Sequence, residues 1–151
     1  MESFKDKKND CACIFCDVPN VEVPGNSDLI VKKNKLTFTM LNLYPYNSGH
    51  LMIIPYRHIS DFNQLTVEEL AEMMTESQNM INALSKIMAP QGFNMGMNIG
   101  KAAGAGIDAH LHLHIVPRWI GDTNFMPAVG EVKVISQDLL DIKQKLAEVL
   151  K

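Results

Sequence analysis

"AHLHLHIVPRW", residues 109–119, sets His110, His112 and His114 at every second position, with Leu111, Leu113 and Ile115 interleaved. In an extended strand successive side chains point to opposite faces and rise about 3.3 Å per residue. The three imidazoles are therefore expected to line one face over roughly 13 Å, with the apolar residues entering a core on the other. A lone histidine on a strand is ordinary polar surface, but three in alternation call for a chemical account. Two stand open. A His-x-His pair on a strand offers two imidazoles to one metal ion, although the third histidine fans too far along the sheet to join it easily. Alternatively, a neutral imidazole attacks an electrophile through one ring nitrogen while the other is held as a donor, and its neighbours donate to the developing charge.

The segment immediately upstream favours the nucleophile. "GKAAGAG" (100–106) is rich in residues that let backbone amides approach an anion closely, and beside a histidine row it points to phosphate. Lys101 and Arg118 are the nearby cations.

Farther out, the pattern reads as strands joined by turns with helices inserted. "LIVKK" and "KLTFTML" form a hairpin about Lys33-Asn34, and "HLMIIPY" (50–56) is a short apolar strand. Residues 66–89 are the clearest helix: Thr66 and Glu69 form a capping box, Val67, Leu70, Met73, Met74, Ile81, Leu84, Ile87 and Met88 recur at helical spacing, and Pro90 and Gly92 stop it. Its methionines read as adaptable core. "GFNMGMNIG" (92–100) is another strand and "EVKVI" a short one, before Ser136 caps an amphipathic helix over about 136–151. This order predicts an α+β fold on a mostly antiparallel sheet. Residues 1–10 read as a mobile tail and 11–151 as a single domain.

Composition bounds the function. A net charge of −3 over 151 residues argues against a polybasic nucleic-acid surface, yet leaves room for a phosphate ligand held by a local set of donors. No apolar run reaches the ~18 residues of a membrane span, and the charged start "MESFKDKKND" lacks the apolar core of a signal peptide. Three cysteines in "CACIFC" suit a reducing cytoplasm better than a disulfide framework. No strand is legible before Cys13, which weighs against a redox CxxC. Zinc ligation by Cys13 and Cys16 stays open, but two thiolates close only half of a tetrahedral site.

"HLHLHIV" resembles the signature of the histidine triad (HIT) family of nucleotide hydrolases and transferases, His-φ-His-φ-His-φ-φ with φ apolar. "LNLYPYNSGHLMIIPYRHISDF" is similar to that family's upstream strand pair, and the likeness runs from about Cys13 to Pro117. "PRWIGDTNFMP" resembles the branch of diadenosine tetraphosphate phosphorylases and hydrolases. The resemblance implies a HIT-like α+β fold with its sheet extended across a homodimer. It also implies cleavage of a dinucleoside polyphosphate, diadenosine tetraphosphate foremost, at the α-phosphorus. His112 matches the nucleophile that forms a nucleotidyl-histidine. His114 matches the neighbour that binds phosphate and assists the leaving group, His110 the residue that orients the nucleophile through its carbonyl, and His50 an auxiliary active-site histidine. Asn42 matches a ribose contact, Asn98 a polar residue beside the phosphates, and Gly104 and Gly106 the phosphate loop. Many members carry Gln where this chain has Gly106. That departure opens room for inorganic phosphate as the second acceptor and tips the expectation towards phosphorolysis over hydrolysis. In zinc-containing relatives a CxxC joins the histidine of a PxxH segment and the first triad histidine; here those are Cys13, Cys16, His58 and His110, a structural zinc site. Magnesium is expected only as a companion of the substrate's phosphates. The competing functions are a nucleoside phosphoramidase and a non-catalytic nucleotide-binding or sensing module.

Overall fold

The computed structural model describes residues 13–19, 29–105, 110–123 and 137–151. The expected tail (1–10), Cys11, Gly106, the "EVKVI" strand and Ser136 lie outside them. Among the described residues five strands are seen: β1 (Ile30–Lys33), β2 (Thr37–Leu41), β3 (Leu51–Pro55), β4 (Gly92–Gly96) and β5 (Leu113–Arg118). Three α-helices accompany them: α1 (Ile14–Asp17), α2 (Val67–Met88) and α3 (Leu139–Val149). The strands form one sheet in the order β1-β2-β3-β5-β4, and every neighbouring pair is antiparallel. The α+β expectation is met.

Register and alternation decide what each face of the sheet does. Thr39 on β2 turns towards α2, where its hydroxyl meets Glu76 at 3.4 Å. Period-two alternation and the observed pairing then put Leu41, Leu51, Ile53, Leu113 and Ile115 on that same face, all buried. Met40, Met52 and His114 sit side by side across β2, β3 and β5 on the opposite face. One face builds the core under the helices, and the other carries the histidines.

Helix α2 starts as its sequence demands. The Thr66 hydroxyl accepts the Glu69 N–H at 3.1 Å, and the Glu69 carboxylate accepts the Thr66 N–H at 2.9 Å. Such a cap contributes about 1 kcal/mol. The buried stripe of the helix, however, contains two acids between Met73, Met80, Ala83 and Leu84. Glu69 takes both Arg57 Nε and Nη2 at 2.7 Å, and these bonds first of all hold its carboxyl down to about 2. Glu76 takes Lys32 at 2.8 Å and Asn79 at 3.1 Å. A buried carboxylate needs such partners because desolvation penalises an unpaired charge. Apolar periodicity overlooks this device, and it also assigns Val67 and Met74 to the core although they are 77% and 47% exposed.

Several boundaries differ from the sequence reading. The hairpin turn takes in Lys35 and Leu36, closed by Asn34 N–H to the Thr37 carbonyl at 2.8 Å. Helix α2 ends at Ala89 in the left-handed region (φ 46°), while Gly92 opens β4 rather than stopping the helix. Strand β4 stops at Gly96, short of residue 100. Helix α3 is capped by Asp138, whose carboxylate accepts the Leu140 N–H at 2.8 Å. Strand β3 is buried throughout, and Met73 and Met80 of α2 are fully buried, so their apolar side chains are covered within one chain. Among the described residues β1 and β4 are the two edges of the sheet, and Met95 on β4 is 43% exposed.

Gly49 seats the chain that enters β3. Its φ is +80°, and a Cβ there would lie 2.7 Å from Met88 Sδ and 3.2 Å from Pro117. Only glycine allows both the backbone conformation and that approach, and the next residue is His50.

Candidate active site and metal cluster

The regular strand begins only at Leu113, so His110 and His112 precede β5 rather than belong to it. The three imidazoles do not form one exposed row. His110 and His114 are buried and His112 is partly buried, whereas Leu111, Leu113 and Ile115 enter the core as expected.

Hydrogen bonds settle how the rings carry their protons. His112 Nδ1 lies 2.8 Å from the His110 carbonyl, which can only accept, so Nδ1 bears the proton and Nε2 keeps its lone pair. His50 is fully buried; its Nδ1 accepts the Tyr46 N–H at 3.0 Å, which leaves the proton on Nε2. That N–H meets His114 Nδ1 at 2.8 Å, so the neutral His114 ring is protonated on Nε2. His114 Nε2 is buried and has no hydrogen-bond partner among the described residues. The rings of His112 and His114 lie 4.6 Å apart, a nucleophilic nitrogen beside an unspent donor. Burial pushes His112 below the usual 6.5, against the raising effect of the His110 carbonyl. Burial, and then the neighbouring His112, bring His114 down to about 4. Both rings are neutral at neutral pH.

A cavity of about 600 Å³ opens onto this pair. His112 and His114 line it together with Asn42, Asn98 and Gly104, so three expected substrate contacts are brought to one place. Asn42 Oδ1 is already engaged by the Tyr44 N–H at 2.9 Å. Gly104 turns at φ 89°. No carboxylate lines the cavity among the described residues. His50 stands behind His114, outside the lining. Arg118 is committed to Asp122, at 2.6 and 2.8 Å, and is no free phosphate cation; Lys101 is also outside the lining.

The reading from sequence missed the apolar members, Ile14, Phe15, Met40 and Met52, and the aromatic pair Tyr44 and Tyr46. Phe15 packs 5.1 Å from the His112 ring and 5.7 Å, edge-on, from that of His110. The alternation that placed Met40 and Met52 on the histidine face was available in the sequence, but nothing local announced Phe15.

At the far side of His110 a second cluster forms. Cys13, Cys16, His58 and His110 bring one ligand atom each to within 4.8 Å of one another. His110 Nε2 is tied to the Pro55 carbonyl at 2.8 Å, so it carries the proton and Nδ1 presents a lone pair. That Nδ1 lies 3.5 Å from Cys13 Sγ and 3.6 Å from Cys16 Sγ, and His58 Nδ1 lies 3.3 Å from Cys16 Sγ. Sulfur and nitrogen ligands of one tetrahedral zinc stand about 3.5 Å apart. The four residues fit such an ion, and the carbonyl behind His110 is the outer-sphere acceptor that ligating histidines require.

A family model described as the HIT domain matches residues 24–119. The chain is 47% identical over 132 residues to an AP-4-A phosphorylase of Mycobacterium tuberculosis, covering 85% of this chain and 68% of that one. It is 31% identical over 109 residues to an adenosine 5′-monophosphoramidase of Saccharomyces cerevisiae, covering 72% and 64%. Its structure is similar to that of a Zn-bound histidine triad family protein from Mycobacterium smegmatis, with a TM-score of 0.75, 26% identity and coverage of 92% and 93%.

Proposed function

Because this chain belongs to the HIT family, we propose that it is a nucleotide hydrolase or transferase that cleaves a dinucleoside polyphosphate, diadenosine tetraphosphate foremost, at the α-phosphorus. The observation that carries this reading is the proton arrangement of the pair: His112 Nε2 with a lone pair, beside His114 Nε2–H without a partner.

His112 Nε2 attacks the α-phosphorus; a P–N bond forms and the bridging P–O bond breaks. His114 Nε2–H hydrogen-bonds the departing oxygen, and His50 holds His114 in the tautomer that can do so. His110 orients the nucleophile through its carbonyl. Asn42, Asn98 and Gly104 contact ribose and phosphates, and Gly106 belongs to the same phosphate loop. Any magnesium arrives with the substrate, since no carboxylate of the described cavity could hold it. In the second step the acceptor attacks phosphorus and the P–N bond breaks.

The protonation pattern bears on the leaving group. A neutral His114 donates a hydrogen bond but has no spare proton to surrender. A polyphosphate leaves as an anion and needs none, whereas the amine of a phosphoramidate must be protonated to leave. The site as built favours the polyphosphate over the phosphoramidase reading, and its filled triad favours turnover over mere sensing.

For the acceptor we favour inorganic phosphate over water, on Gly106 and on the likeness to a phosphorylase. With diadenosine tetraphosphate and millimolar phosphate, product analysis should find ADP and ATP. Hydrolysis would instead give AMP and ATP. AMP at every phosphate concentration with no ADP would refute phosphorolysis and leave the covalent step standing. Cleavage of an adenosine phosphoramidate in preference to diadenosine tetraphosphate would refute the substrate class.

The Cys13, Cys16, His58 and His110 cluster holds a structural zinc in this proposal, and its thiols suit the cytoplasm. The active unit is a homodimer formed along β4, an edge of the sheet among the described residues, where Met95 is 43% exposed. Light scattering at micromolar concentration should give twice the chain mass; a fully active monomer would defeat this.

A further inference from the structure

Three aromatic residues, Phe15, Tyr44 and Tyr46, line the cavity with the reacting pair. Ring contacts follow one another: Phe15 to His112 at 5.1 Å, His112 to His114 at 4.6 Å, and His114 to Tyr46 at 5.8 Å in a stacked geometry. Phe15 thus neighbours the nucleophile and Tyr46 the donor. Tyr44, two residues from Tyr46 and in the same lining, is 81% exposed.

Such exposure is unusual for a ring on a segment held this firmly. The Tyr44 N–H is fixed by Asn42 Oδ1 at 2.9 Å, and Asn42 N–H by the His50 carbonyl at 2.9 Å. Two residues on, the Tyr46 N–H is fixed by His50 Nδ1, and then Asn47 by the Pro117 carbonyl and Asp122 at 3.1 and 2.7 Å. Pro45 between the tyrosines restrains the backbone further. The loop therefore presents Tyr44 ready-made, and among the described residues neither core packing nor a hydrogen bond of its hydroxyl accounts for the placement.

In-line displacement at phosphorus fixes which end receives what. The entering nitrogen is on His112 and the departing oxygen is on the side of the His114 donor, so the leaving polyphosphate runs out past His114 and Tyr46. We infer that Tyr44 is the stacking platform for the second nucleoside, the one that departs, and thereby selects substrates with a base at both ends over those with one. This rests on the proposed α-phosphorus cleavage and adds the residue that recognises the distal half. Every base has a flat π face, so such a platform discriminates by the presence of a base rather than by its identity.

The test compares diadenosine tetraphosphate with adenosine 5′-tetraphosphate, which shares the α-phosphorus and phosphate chain but lacks the second nucleoside. Tyr44→Ala should lower kcat/KM for the two-base compound about tenfold, mainly through KM, and change the one-base compound less than about twofold. Tyr44→Phe should restore the difference, because the ring and not the hydroxyl is at work. An equal loss on both compounds, or a loss on neither, overturns the platform while leaving the cleavage reading intact. If the wild-type protein turns over neither compound, the cleavage reading fails and the platform falls with it.

Discussion

His112→Asn is expected to lower turnover of diadenosine tetraphosphate by at least about four orders of magnitude while leaving a folded protein. Asparagine can still donate to the His110 carbonyl that now accepts from Nδ1 at 2.8 Å, so the local backbone keeps its partner. What vanishes is a nitrogen with a lone pair facing phosphorus, and no other side chain in the described lining can replace it at the same place. His114 cannot, since its one unprotonated nitrogen is held by His50. Single-turnover mixing of the wild-type protein, quenched without acid, should trap an adduct heavier by one nucleotide, which the variant lacks. The same chemistry fixes the sign of the pH dependence. Attack needs neutral His112, and its folded value lies below 6.5 because of burial, with the rings of His114 and Phe15 packed about it and the His110 carbonyl on its Nδ1. Activity should therefore persist as pH falls through 6.5 and be lost only below it. Near-normal turnover in the variant would remove the covalent mechanism.

Loss of the zinc ligands is the second large effect. Cys13→Ser together with Cys16→Ser should lower Tm by about 10 °C, the shift that roughly 3–5 kcal/mol produces in a chain of this size. Structural zinc in isolated finger peptides contributes more, about 10–16 kcal/mol, but there the metal replaces a core. Here a buried core under α2 and α3 folds most of the chain independently of the metal. A zinc ion held by the proposed ligands would secure α1, which follows Cys13 and contains Cys16, and with it the placement of Phe15 against His112. Stability should accordingly suffer more than the chemical rate. Metal analysis of protein purified without chelator should find about one zinc per chain. Metal-free protein of undiminished Tm would count against the assignment.

The apolar alternation of Leu111, Leu113 and Ile115 made that segment's core side legible in advance, whereas the regular strand begins only at Leu113 and the three imidazoles do not share one exposed row. The capping box of Thr66 and Glu69 was legible too, being local. Glu76 in the core was not. Whether a buried acid is tolerated depends on Lys32 and Thr39, which are remote in sequence. The triad's membership in one site could be read, yet its division of labour could not. That His110 turns its ring to the cysteines and only its carbonyl to His112 follows from Pro55, fifty-five residues earlier. Phe15 and the tyrosines were invisible to a search for chemical side chains, since their part is to bound a cavity. The apolar run of β3 was legible as a strand, and the structure buries all of it.

The protons of the site are set by the main chain: the Tyr46 amide, the Pro55 carbonyl and the His110 carbonyl each fix one imidazole. Replacing the side chain at 46 or 55 leaves those groups where they are. Drift at such positions can thus leave the tautomers untouched, even where, as at Tyr46, the ring itself lines the cavity. A descendant sequence could lose every recognisable neighbour of its histidines and still inherit their tautomers, provided the path of the chain is kept.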